Sequence, residues 1–341
     1  MPQPDALRGK KLFNYELKGE PNPDVQAQLE ANGAYPDLTL DGEWNPAAYR
    51  QLVTDLMNGL YDSDPTYRES VGQCEREEHV VPVRDGNNAE VRLWVYRPHT
   101  LKDDASAPAI IYIHGGGSVG GCLEDCVPQC SRMAVDTGTV VCAVGYRMVP
   151  FVEFPYTMLD SYAATRFVTE NAAKLGIDPE RIALSGDSAG SYQVLATVAK
   201  LAQEGHADSI KLARISVAQI FDYFFTEPVE NMTRPESDAV QESHAVMEWM
   251  TGGKTQTHLD EKNPLLFPGL ASDALLAQYP PFLVLEEEFD NYRTPAERLA
   301  QRLDQAGRLL EYVCYPGTSH NGGHPNTRSD LILMFDEYLK P

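Results

Sequence analysis

From Glu78 onward the chain alternates short apolar, β-branched runs with stretches of helical length. The runs fall at 79–83, 91–96, 109–113, 139–144, 181–184, 214–220, 282–285 and 312–315. The later ones are brief and nearly continuous in apolar residues, the pattern of strands buried on both faces of a parallel sheet. Helix candidates lie between them at 156–174, 191–204, 295–305 and 329–339. Strands alternating with helices predict right-handed βαβ crossovers and a three-layer α/β sandwich.

Two regions break this rhythm. Residues 1–75 are polar and contain prolines, with helix-like stretches at 24–32 and 46–60 and no strand-like run. Residues 226–277 are rich in Glu, Thr, His and Met and read as an insertion covering one end of the sheet. The expected division is therefore an N-terminal segment (1–75), a catalytic domain in two pieces (76–225 and 278–341) and an insertion (226–277).

Composition narrows the function. With 341 residues, 43% of them hydrophobic, the chain can bury a large core. Twenty-eight Lys and Arg against fifty Asp and Glu give a net charge of −22. Such a surface repels phosphate backbones and anionic lipid, so neither a nucleic-acid nor a membrane partner is expected. No apolar run approaches the ~18–20 residues needed to span a bilayer. The N-terminus carries no apolar signal region, so a cytoplasmic location is expected. Cys122, Cys126 and Cys130 are spaced by four, near one face of a helix. They are expected to pack as small apolar residues rather than hold a soft metal. His99, His206, His244 and His258 stand in unpatterned surroundings and are expected at the surface or in loops.

The chemistry concentrates in three places. Gly186-Asp187-Ser188-Ala189-Gly190 follows an apolar strand and precedes a helix-like segment. A serine on so tight a strand-to-helix turn projects its Oγ above the sheet, near the positive end of the helix. By composition alone this G-x-S-x-G pattern occurs roughly 0.1 times in such a chain, so it is the flanking strand and helix that point to a nucleophile. Upstream, a buried strand ends at His114-Gly115-Gly116-Gly117. Glycines there let backbone N–H groups converge on a ligand oxygen, and Gly115, Gly116 and Ala189 are the expected oxyanion donors. His114 is either a base or a loop brace, and bracing is favoured because a better base lies downstream. That base is His320, just after the last strand. Its orienting acid is expected to be Asp290, which sits furthest into the preceding loop, rather than Glu286, Glu287 or Glu288, expected to be mostly solvated or in cap contacts.

These motifs resemble the hormone-sensitive-lipase family of α/β-hydrolases, the bacterial family IV esterases, in the branch whose elbow reads GDSAG. The resemblance runs from about residue 78 to the end. It rests on His114–Gly117, Tyr146-Arg147 with Phe154-Pro155, Gly186–Gly190, Asp290-x-x-Arg293 and Gly317-x-x-His320. It implies the α/β-hydrolase fold, a mostly parallel eight-stranded sheet flanked by helices, with a helical cap made from the N-terminal segment and the insertion. It also implies a Ser188–Asp290–His320 triad with Gly115, Gly116 and Ala189 holding the oxyanion. The expected activity is hydrolysis of small-molecule, short- to medium-chain acyl esters without metal or organic cofactor. An amidase, a lactonase or a non-catalytic ligand binder on the same fold is the alternative, and a homodimer is compatible with the family. The sequence departs from the family at Ser118, where an aromatic is usual, at Met148-Val149-Pro150-Phe151, at Ser191-Tyr192 and at Asn321-Gly322. Small Ser118 is expected to widen one wall of the acyl pocket. Phe221, Tyr223, Phe224 and Phe225 are expected to pack against the sheet rather than line the site.

Overall fold

The computed structural model describes residues 13, 15–30, 39–40, 43–101, 106–232, 234–320 and 323–340. Two strands of two residues, β1 (Thr39–Leu40) and β2 (Glu43–Trp44), pair antiparallel as a small ribbon. The sequence pattern missed it, because two residues are too few to show alternation.

The main sheet contains β3 (Cys74–Pro82), β4 (Glu90–Pro98), β5 (Ala107–Ile113), β6 (Val140–Gly145), β7 (Ile177–Asp187), β8 (Leu212–Ser216), β9 (Phe282–Glu287) and β10 (Leu309–Tyr315). Their order is β10-β9-β8-β7-β5-β6-β4-β3. Antiparallel pairing is confined to β3 with β4 and β4 with β6; the other neighbours run parallel. All eight predicted strands form. The first reaches back to Cys74, inside the stretch expected to precede the domain, because that end of β3 is an exposed edge with polar residues. The run predicted at 214–220 stops at Ser216, where Val217 takes a positive φ of 45° that ends the extended backbone.

Strand alternation separates two core clusters. Ala109, Ile111, Ile113, Cys142 and Val144 face the helices Tyr156–Glu170, Ala189–Gln203 and Arg293–Gln305. Ile110, Tyr112, Val141 and Ala143 face Val127–Thr137 and Thr327–Tyr338 on the other side. Helices Val127–Thr137 and Thr66–Val71 were not among the predicted elements. Cys126 and Cys130 lie buried in the second cluster, the packing role expected of them, and Cys122 is half-buried beside Asp125.

A third apolar cluster stands above the carboxyl ends of the strands. It joins Tyr49 of helix Pro46–Ser63 and Val119 of the glycine loop with Tyr192, Phe221 and Phe267. Val246, Met247 and Met250 of helix Arg234–Thr251 complete it. The helix expected at 24–32 is Pro23–Glu30; residues 31 and 32 lie outside the described residues. No described helix is long and apolar enough to cross a membrane.

Candidate active site

The loops that follow β5, β7, β9 and β10 meet at one end of the sheet. At the end of β7, Ser188 adopts φ 55°, ψ −119°, a conformation unfavourable for a residue with a Cβ, by about 1–3 kcal/mol. Its N–H donates to the Ser216 carbonyl at 2.9 Å, and its own carbonyl accepts from Ser191 and Gln219, which over-determines the turn. Gly190 is required there, because a Cβ would overlap the Ile113 carbonyl where the elbow helix crosses β5.

Ser188 Oγ lies 2.9 Å from His320 Nε2, and His320 Nδ1 lies 2.8 Å from Asp290 Oδ2. The three residues expected to act together are thus brought into one hydrogen-bonded chain. Asp290 also accepts from the Tyr292 N–H at 2.7 Å, so one oxygen fixes its loop while the other faces the imidazole. Burial alone would lower the His320 pKa. The negative charge and hydrogen bond of Asp290, helped by Glu242 and Asp187, outweigh it and raise the pKa above the ordinary histidine value.

Among the described residues, the N–H groups of Gly115 and Gly116 have no acceptor within the protein. Ala189 opens the elbow helix, where an N–H has no intrahelical partner. All three expected oxyanion donors are thus N–H groups without an acceptor among the described residues. His114 donates from Nδ1 to the Gly115 carbonyl at 2.8 Å and stacks on Tyr146, whose hydroxyl donates to the His114 carbonyl at 3.0 Å. Burial lowers its pKa, and its contacts are those of a residue that braces the loop.

Four sequence expectations are revised. Glu286, Glu287 and Glu288 are buried rather than solvated, while Glu288 makes the cap contact that was the other expectation, through Lys18 and Gly19 of the N-terminal segment. Each has a donor that makes burial tolerable. Glu288 accepts from the N–H groups of Lys18, Gly19 and Gly317, Glu287 from the Thr318 hydroxyl, and Glu286 from the Ala218 N–H. Ser118 has no exposed surface and a φ of 62°, so it packs into the loop instead of widening a pocket. His258 is half-buried, its ring edge-on to Phe154. Phe221, Tyr223 and Phe224 are buried, but against the helix Arg234–Thr251 and its neighbours above the strand ends rather than against the sheet, and Phe225 stacks on His244. Asn321 and Gly322 lie outside the described residues.

Several contacts of the site carried no signal in the sequence. Asp187 is tied by Arg214 at 2.7 Å and by the Tyr112 hydroxyl at 2.8 Å. Gln219 donates to the Tyr292 hydroxyl at 3.0 Å, and the Tyr292 ring stands edge-on to His320. From the opposite side, Tyr49 donates to Glu242 Oε1 at 3.2 Å. Gly117, at φ 61°, lies directly against the Tyr49 hydroxyl, which would have to move to admit a Cβ there. These contacts join residues far apart in sequence, and spacing gives no signal for them.

A strained serine between a parallel strand and a helix, beside a glycine loop and a His–Asp pair on later strand ends, defines an α/β-hydrolase site. Comparison with known proteins agrees. The family model for the alpha/beta hydrolase fold matches residues 110–322. An ethyl acetate hydrolase of Pseudomonas putida is 32% identical over 238 residues, 70% of this chain and 72% of that one. Esterase LipI of Mycobacterium tuberculosis is 32% identical over 230 residues, covering 67% and 69%. Among solved structures, a bacterial heroin esterase superposes with a TM-score of 0.79 at 25% identity, over 95% of this chain and 99% of that one. The chain belongs to the α/β-hydrolases and, within them, to the hormone-sensitive-lipase family IV.

Proposed function

We propose that the chain is a serine carboxylesterase that hydrolyses short- to medium-chain acyl esters through an acyl-enzyme. The observation that carries this reading is the continuous Ser188–His320–Asp290 chain, with links of 2.9 and 2.8 Å. The names of the relatives, an ethyl acetate hydrolase and an esterase, support the same reaction.

His320 Nε2 takes the proton of Ser188 Oγ as that oxygen attacks the acyl carbon. The carbonyl oxygen becomes an oxyanion held by the N–H groups of Gly115, Gly116 and Ala189. Losing one such donor typically costs about 2.7–4 kcal/mol of transition-state stabilisation. The imidazolium then protonates the leaving alkoxide and the alcohol departs. Water repeats the sequence: His320 takes its proton, the hydroxyl attacks the acyl carbon, and Ser188 recovers its hydrogen as the acid leaves. Asp290 stays ionised and holds the imidazole tautomer. Helix Pro46–Ser63 and the segment 226–277 act as the two pieces of a cap over the site, joined through the Tyr49, Phe221 and Met247 cluster. The test is turnover of a short-chain p-nitrophenyl ester by Ser188→Ala. Activity should fall to near background with the fold retained; substantial residual turnover would refute the reading.

A further inference from the structure

Glu242 is unusual among the carboxylates near the site. It sits on the helix Arg234–Thr251, above the ends of the strands. Its single hydrogen bond among the described residues comes from Tyr49, which stands against Gly117 of the oxyanion loop. No Lys or Arg among the described residues pairs with it, whereas the buried Asp160 is clamped by Arg147. Glu242 nonetheless keeps part of its surface open. Desolvation raises its pKa, and the positive charge of a protonated His320 is the opposing influence. When His320 is neutral, as it must be to accept the Ser188 proton, Glu242 is a half-buried carboxylate with one neutral donor and no Lys or Arg beside it among the described residues, a place that favours a cation from outside.

We propose that Glu242, oriented by Tyr49 over the glycine loop, binds a cationic group on the alcohol part of the substrate, so that the enzyme selects esters of amino alcohols. The alcohol side follows from the mechanism. His320 must protonate the leaving oxygen, so the leaving group lies beside the imidazole, and Tyr49, in contact with Gly117 of the loop that faces it, holds Glu242 over the same end of the site. The chain's net charge of −22 would also draw cationic substrates toward the molecule. The proposal rests on the esterase reading and deepens it.

The experiment compares two esters of the same acid and nearly the same shape, butyrylcholine and its neutral carbon analogue 3,3-dimethylbutyl butyrate. The wild-type enzyme should favour the cationic ester by about tenfold or more in kcat/KM, mainly through a lower KM. In Glu242→Gln the ratio should fall to near one, and in Tyr49→Phe it should fall part of the way. Any effect of either change on the imidazole acts on both esters and cancels in the ratio. A wild-type ratio near one, or a ratio unchanged in Glu242→Gln, overturns the proposal. Should Glu242→Gln fail to fold, Tyr49→Phe carries the test in its place: a ratio unchanged from the wild type in that variant overturns the proposal. Cleavage of the neutral ester that vanishes in Ser188→Ala upholds the esterase reading in either case. Its persistence in Ser188→Ala would instead bring down that reading, and the proposal with it.

Discussion

The loops after β7, β9 and β10 and the two helices that face them treat carboxylates differently. On the sheet side, Glu288 receives three backbone N–H groups, Glu286 one, and Asp290 one in addition to the imidazole, and only Glu287 among these four relies on a side-chain hydroxyl, that of Thr318. On the cap side, Glu242 receives a single tyrosine hydroxyl. Backbone donors are fixed by the fold, so the sheet side is pre-organised for one chemistry. Side-chain donors from two separate helices depend on which residues those helices carry. Under the proposed function, bond-breaking belongs to the strand ends, and under the proposal for Glu242, substrate choice belongs to the helices above them.

The largest effect expected is at Asp290. Asp290→Asn removes the charge that stabilises the imidazolium and favours the wrong tautomer, so kcat should fall by about 10⁴-fold with little change in stability. Glu286→Gln and Glu287→Gln should lose far less activity, since neither touches His320 in the structure. Steady-state kinetics on one ester decides the matter. If either Glu variant were the inactive one, the acid would be misassigned and the contrast would fail on its sheet side.

The next effect concerns stability. Burial pushes the Glu287 carboxyl up to about 8, with the Thr318 hydroxyl opposing and the charge of Asp290 adding to the rise. Its unfolded value is about 4.3. Below that pH both states are protonated and the folded state keeps its full advantage. Between about 4.3 and 8 the unfolded chain ionises first, so the contribution is lost as pH rises through the folded value. Glu287→Gln should remove this slope, leaving the variant more stable than the wild type at pH 8 by of order a few kcal/mol. Urea midpoints at pH 5 and pH 8 measure it. Parallel pH dependence in both proteins would mean that Glu287 is already ionised in the fold.

The same contrast explains what could be read in advance. Residues 186–190 and 114–117 are legible because the chain must turn sharply there and the turn admits few residue types; Asp290 and His320 are legible from their order and their place after the last two strands. Apolar runs likewise disclose β5 to β10, whose both faces are covered. The exposed amino end of β3 and the two-residue ribbon carry no such constraint and stayed hidden. The burial of Glu286 to Glu288 was also invisible, since their donors come from Gly19, Ala218 and Gly317, remote in sequence. Tyr49 and Glu242 are 193 positions apart, and each looks like an ordinary helical residue. Cap chemistry is legible only once the helices are seen to meet.

The smallest effect sharpens the comparison most, because it tests whether the cap reaches the base at all. His320 must be neutral to accept the Ser188 proton, so kcat/KM should fall as pH drops through its pKa. Burial opposes protonation, but the charges of Asp290, Glu242 and Asp187 together favour it more, which places the acid limb above the ordinary histidine value of about 6.5. Glu242→Gln removes one of these three charges. The imidazolium becomes less stable, the pKa falls, and the limb moves to lower pH. With the neutral ester as substrate, the variant should therefore keep a larger fraction of its own maximal rate at pH 6 than the wild type does. Arg214 already offsets Asp187 at 2.7 Å, so Glu242 is the one carboxylate in the set without a cationic partner or the direct imidazole bond. A limb that stays in place in Glu242→Gln would confine the electrostatics of catalysis to the sheet side and leave the cap as a passive cover.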